Sequence, residues 1–89
     1  MKEYMVELYM SRADPGAVER AAQLTKRAAE QMSRLGTPVR FLRSIYVAED
    51  ETCFLLYAAE SAEAAREAAT AAGRPFEHVV EVVEEPVTS

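Results

Sequence analysis

An α+β sandwich is the fold that the sequence predicts: element order β-α-β-β-α-β, a four-stranded antiparallel sheet, and both helices on one of its faces. Three observations carry that expectation. Four short runs alternate in the period of two that a strand requires. Two stretches between them repeat small or apolar residues at helical spacing. Proline, glycine, serine and acidic residues stand at the joints.

In "EYMVELYM", Val6 and Leu8 point one way while Met5, Glu7 and Tyr9 point the other, which makes strand one from about Glu3 to Met10. Asp14 is placed to cap a helix that begins at Pro15, a position where the missing N–H costs nothing. Val18, Ala21, Ala22, Thr25, Ala28, Ala29, Met32 and Leu35 then form one stripe, and Gly36 supplies the terminator, so helix one is expected from about Pro15 to Leu35. "VRFLRSIYVAEDETCFLLY" reads as a hairpin, with strand two from about Val39 to Val47 and strand three from about Thr52 to Ala58. If Val47 pairs with Thr52, Ile45 faces Phe54, Arg43 faces Leu56 and Ser44 faces Leu55. Ser61 caps a second helix, "AEAAREAATAA", whose alanine stripe lets it lie close to the sheet, and Gly73 ends it. "FEHVVEVVE" is the last strand. The whole is a single ferredoxin-like domain, residues 1–85, followed by a loose tail, 86–89.

Two helices on one face leave the other face open. Alternation puts Met5, Glu7, Tyr9, Phe41, Arg43, Ile45, Phe54, Leu56, Val79 and Glu81 on that open side. Val6, Leu8, Leu42, Ser44, Tyr46, Cys53, Leu55, Tyr57, Val80 and Val82 are expected to pack on the helices. Burying Arg43 beneath two helices without a partner would cost several kcal/mol, which assigns it to the open side. An apolar face of this kind suits a subunit interface, so a homodimer is expected. It equally suits a small-molecule cleft.

The charge balance, 15 acidic against 10 basic residues for a net −5, argues against nucleic acid as a partner, because phosphate binding needs a concentrated cationic surface. No stretch approaches the ~20 apolar residues of a membrane span. The N-terminus has acidic residues at positions 3 and 7 and no continuous apolar core, so no secretory signal is expected. The one cysteine, Cys53, cannot form an intrachain disulfide or hold an iron–sulfur cluster, and it reads as a small buried hydrophobe. A cytoplasmic protein is the resulting expectation.

Candidate chemistry is sparse. Glu7, Tyr9, Phe41, Arg43, Phe54 and Glu81 form the candidate ligand-binding set of the open face. Arg43 could orient a polar ligand over an apolar floor, or pair across a dimer with Glu7 or Glu81 of the second copy. The single histidine, His78, shares strand parity with Glu84, and these two are the candidate metal ligands. "EVVEEP" reads as a solvated edge. Tyr46 and Tyr57 read as core residues whose hydroxyls reach solvent or backbone.

The stretches "RSIYV", "CFLLYAAESAEAAREAA" and "GRPFEHVVEV", with the "YMVELYM" start, carry a resemblance that spans about Lys2 to Glu84. The chain resembles a small ferredoxin-like family catalogued as a domain of unknown function, which has a nickel-binding member. The resemblance implies the same fold and raises nickel or another divalent ion as a cofactor. The family often shows a His-Ser pair in strand two and a cysteine two residues before the strand-three tyrosine; this chain has Arg43-Ser44 and Leu55 there. Arginine and leucine do not replace metal ligands. A small binding protein is therefore the leading expectation, with a cofactor-free cyclase-, isomerase- or monooxygenase-like enzyme, or a structural or regulatory module, as alternatives.

Overall fold

Antiparallel pairing of every neighbouring strand organises the computed structural model, which describes residues 1–83. The elements are β1 (Lys2–Tyr9), α1 (Ala17–Arg34), β2 (Val39–Val47), a 3-10 turn (Ala48–Asp50), β3 (Thr52–Ala59), α2 (Ala62–Thr70) and β4 (Phe76–Val82), and the strands lie in the order β2-β3-β1-β4. This is the ferredoxin-like arrangement. The expected loose tail and Glu84 lie outside the described residues.

α1 starts two residues later than expected, and Asp14 is not its cap. Arg20 Nη2 donates to both Asp14 carboxylate oxygens, at 2.8 and 2.7 Å, with Arg74 at 3.8 Å. The carboxylate is thus occupied by a guanidinium, whose hydrogen bonds hold the Asp14 pKa below the usual carboxylate range. Gly16 takes the cap position without a side-chain bond. The far end closes as the sequence suggests: Gly36 adopts φ +104°, and the Thr37 N–H reaches back to the Met32 carbonyl at 2.8 Å. In α2, Ser61 Oγ accepts the Ala64 N–H at 3.2 Å, and Ala64, Ala65, Ala68 and Ala69 are buried.

The core lies between the helices and the sheet face made by Tyr4, Val6 and Leu8 of β1 and Cys53, Leu55, Tyr57 and Ala59 of β3. Burying each Val or Leu here contributes about 1.5–3 kcal/mol. One polar network crosses this layer. Thr25 Oγ1 lies 2.9 Å from the Tyr57 hydroxyl and 2.8 Å from the Ala68 carbonyl. A carbonyl can only accept, so the threonine proton goes to Ala68 and Tyr57 donates to Thr25. α1, β3 and α2 are thereby tied at a single buried point. Tyr46 makes the tether expected of a core tyrosine, its hydroxyl donating to the Met10 carbonyl at 2.7 Å.

The hairpin register is as predicted from Arg43 to Val47, with Arg43 opposite Leu56, Ile45 opposite Phe54 and Val47 opposite Thr52. Two irregularities then change which residues share a face. Between Phe41 and Arg43 the ladder slips by one residue, so Phe41 pairs with Tyr57 instead of Ala58. Phe41 is therefore on the helix side, its ring edge-on to Tyr57 at 5.7 Å between centroids, and not on the open face. Leu42 is the extra residue and is exposed. In β4 the predicted parity is reversed: Val79 pairs with Val6 and Glu81 with Tyr4 on the helix side, whereas Val80 pairs with Met5 and Val82 with Glu3 on the open side. Among the described side chains of β4, Phe76 and Val79 pack against the core, and Glu81 remains exposed, 3.5 Å from Lys2.

Candidate functional site: the cleft on the uncovered sheet face

The uncovered face is built in rows across the sheet. Arg43, Leu56, Met5 and Val80 form one row; Ile45, Phe54 and Glu7 begin the next. Because Val6 pairs with Val79 and the strands are antiparallel, the adjacent positions Glu7 and His78 turn together to the uncovered face. A regular ladder would next bring Glu77 opposite Leu8, under the helices. The irregularity brings apolar Phe76 there instead.

Met5, Glu7, Tyr9, Pro75, Phe76, His78 and Val80 line a cleft of ≈ 490 Å³ at this end of the face. Its floor is apolar, and its polar groups are a carboxylate, an imidazole and a phenol. Tyr9 is 66% exposed, and Ile45 and Val80 are each 42% exposed, so the face beside the cleft offers a broad apolar surface to solvent.

Of the expected ligand-binding set, Glu7 and Tyr9 meet in the cleft, Phe54 lies beside it in the Glu7 row, and Arg43 sits on the far edge strand. Phe41 and Glu81 belong to the other side of the sheet, for the reasons of register given above. Arg43, Glu7 and Tyr9 thus do not form a single constellation. Among the described residues Arg43 makes no ion pair; the pairs present involve Lys2, Arg20 and Arg74. His78 joins Glu7, and its expected companion Glu84 lies outside the described residues. Residue-by-residue parity missed Val80 and the role of Phe76. The signal for them was the run of valines at 80 and 82 beside charged Glu81, which allows either phase.

The chemistry available is that of an open, weakly charged cleft. His78 and Glu7 are both donors suited to a divalent transition metal, but no group of three or more His, Cys, Asp or Glu side chains converges among the described residues. The described residues of one chain therefore supply only part of a coordination shell. Cys53 is fully buried on the helix side, and burial pushes its thiol pKa up, which removes it as a ligand or nucleophile. Among the described residues no helix is long and apolar enough to cross a membrane.

A ferredoxin-like domain with an uncovered apolar face, and with a histidine and a carboxylate lining a cleft on it, is a small protein of the α+β class. The chain belongs to the family described as nickel responsive protein SCO4226-like, whose model matches residues 4–82. Among solved structures it is similar to the crystal structure of SCO4226 from Streptomyces coelicolor A3(2), with 19% sequence identity and a TM-score of 0.72, over 98% of this chain and 99% of that one. At that identity the likeness shows the fold. No curated protein sequence matches the chain.

Proposed function

We propose that the protein is a homodimeric, cytoplasmic binding protein in which two uncovered sheet faces stack, and that the His78–Glu7 cleft takes up a divalent cation of the nickel type. The observation that carries this reading is the meeting of His78 and Glu7 in one cleft on an apolar face that no helix covers. An imidazole and a carboxylate are ligands that nickel accepts, and a two-fold related copy doubles them to the four that one chain lacks. The family description, nickel responsive, supports the choice of ion.

Stacking the faces also removes Ile45, Val47 and Val80 from water, each of which is exposed in the single chain. It gives Arg43 a role as a register device, paired with Glu3 or another carboxylate of the second copy along the interface rim. A second reading is favoured by the size of the cleft, which lies in the range of small-molecule sites: a compact polar ligand held beside Tyr9 over Met5 and Val80. Calorimetric titration of the full chain with nickel and with zinc separates the two. Heat of binding that is abolished in His78→Ala supports the cation; no heat with either metal removes it and leaves the small ligand.

A further inference from the structure

Two arginines of the edge strand β2 share the uncovered face because its ladder slips. Arg40 pairs with Ala58, which lies opposite Glu3, and Arg43 pairs with Leu56, which lies opposite Met5, so both belong to the uncovered side. Positions 40 and 43 differ in parity, and an unbroken strand would send them to opposite faces. At the other end of the same strand, beyond Val47, the 3-10 turn carries Glu49 and Asp50. All four residues are exposed, and among the described residues none of them makes an ion pair; the pairs present join Lys2 to Glu81, and Arg20 and Arg74 to Asp14.

Charge on an edge strand discourages pairing with a stray strand, and acids favour a solvated turn. Neither explanation requires both arginines on one face. The charges also stand symmetrically about one row of the sheet. Counted in same-face steps of about 7 Å from the Ile45–Phe54–Glu7 row, Arg43 is one step away and Arg40 two. In the opposite direction Val47 is one step away, and the turn with Glu49 and Asp50 follows it. Two uncovered faces can stack on a two-fold axis that runs along the strands or across them. An axis along the middle of the sheet lays β2 over β4 of the second copy, sets Arg43 and Arg40 above valines, and keeps the two His78–Glu7 clefts at opposite edges. An axis across the strands at the Ile45 row lays β2 antiparallel over β2, brings the arginine end of each copy to the acidic turn of the other, and superposes the two clefts.

We infer that two copies stack on a two-fold axis crossing the strands at the Ile45–Phe54–Glu7 row, with Arg40 and Arg43 of each copy paired to Glu49 and Asp50 of the other. This rests on the face-to-face stacking proposed above and deepens it, because it sets the orientation in which two copies bring their His78 and Glu7 side chains to one ion. The second copy is selected by opposite charges at the two ends of a single strand, and the symmetry repeats the charge cluster at both ends of the stacked β2 pair.

Charge exchange in the full chain tests it, read by sedimentation velocity over a concentration series. The double variant Arg40→Glu, Arg43→Glu makes both ends of β2 acidic, and Glu49→Lys, Asp50→Lys makes both basic, at positions exposed in the single chain. Each double variant alone should dimerise about tenfold more weakly or worse, with thermal unfolding checking that it still folds. Net charge moves the two in opposite directions, so weakening of both reports the local pairing. An equimolar mixture, with one variant fluorescently labelled, should form the heterodimer near native affinity, and the variant carrying all four reversals should regain the homodimer. Weakening of the arginine variant alone, or no recovery in the mixture and the fourfold variant, would overturn the inference. A native protein that is monomeric throughout removes the face stacking and the inference with it. A native dimer that Ile45→Glu dissociates but charge exchange leaves unchanged keeps the stacking and removes only this orientation.

Discussion

Glu7 and His78 meet on the uncovered face because the residues before and after them, Val6 and Val79, pair across β1 and β4 on the other. Two donor groups are thereby brought from opposite ends of the chain into one cleft beside an apolar surface. The relationship ties the two halves of the proposal together, since the same face that offers the donors is the one that needs a cover.

The cover can be tested without touching the donors. Ile45 is exposed in the single chain and lies in the row of Phe54 and Glu7, so Ile45→Glu leaves the core intact while placing a charge in the middle of the stacked faces. Sedimentation velocity should find the native protein as a dimer and the variant as a monomer of unchanged thermal stability at low concentration. A native monomer throughout, or a variant that still dimerises, contradicts face-to-face stacking.

The buried network predicts unequal costs for its two members. Tyr57→Phe removes one hydrogen bond while Thr25 still donates to Ala68, at a cost of about 1 kcal/mol in denaturant unfolding. Thr25→Val leaves the Tyr57 hydroxyl buried without a partner and leaves the Ala68 carbonyl only the Ala71 N–H, at 3.2 Å. That should cost about 2–3 kcal/mol, and the reverse order of the two variants would refute the assignment of donors.

Alkaline unfolding follows from the same tyrosine. Burial pushes the Tyr57 pKa from 10.0 up to about 12. A folded-state pKa above the unfolded one means that the contribution is full below pH ~10 and is lost as pH rises toward ~12, while the unfolded chain releases its proton first. Stability should fall by about 2–3 kcal/mol across that window and much less in Tyr57→Phe. A loss of equal size in both proteins would place its origin elsewhere.

Cys53 should be inert in the folded state. It is fully buried, and burial holds its thiol in the protonated form. Iodoacetamide at neutral pH should leave the native protein unmodified and label it once in denaturant. Rapid native labelling would show that the helix-side layer opens readily.

Regular features of the fold were legible in the sequence, and the departures from regularity were not. The Ser61 cap, the Gly36 terminator and the Arg43–Leu56 register each follow from local chemistry that a few residues display. Phe41 was misplaced because alternation assumes an unbroken ladder, and nothing in "VRFLRS" marks Leu42 as the residue that slips. β4 was assigned the wrong phase because both of its faces hold valine. The pairing with β1, a tertiary quantity, puts Val79 opposite Val6 in the core layer and leaves Glu81 beside Lys2. The candidate cleft inherited that uncertainty: Glu7 and Tyr9 were identified, but their neighbour His78 was assigned to Glu84.

Nickel titration of the full chain, native against Glu7→Gln, tests the central claim most directly, because glutamine keeps the shape of the side chain and removes only its charge. The account predicts saturable binding of a single ion per two chains in the native protein, and loss of that binding in Glu7→Gln as in His78→Ala. Binding of nickel by Glu7→Gln with native affinity and stoichiometry would contradict the His78–Glu7 cleft as the cation site.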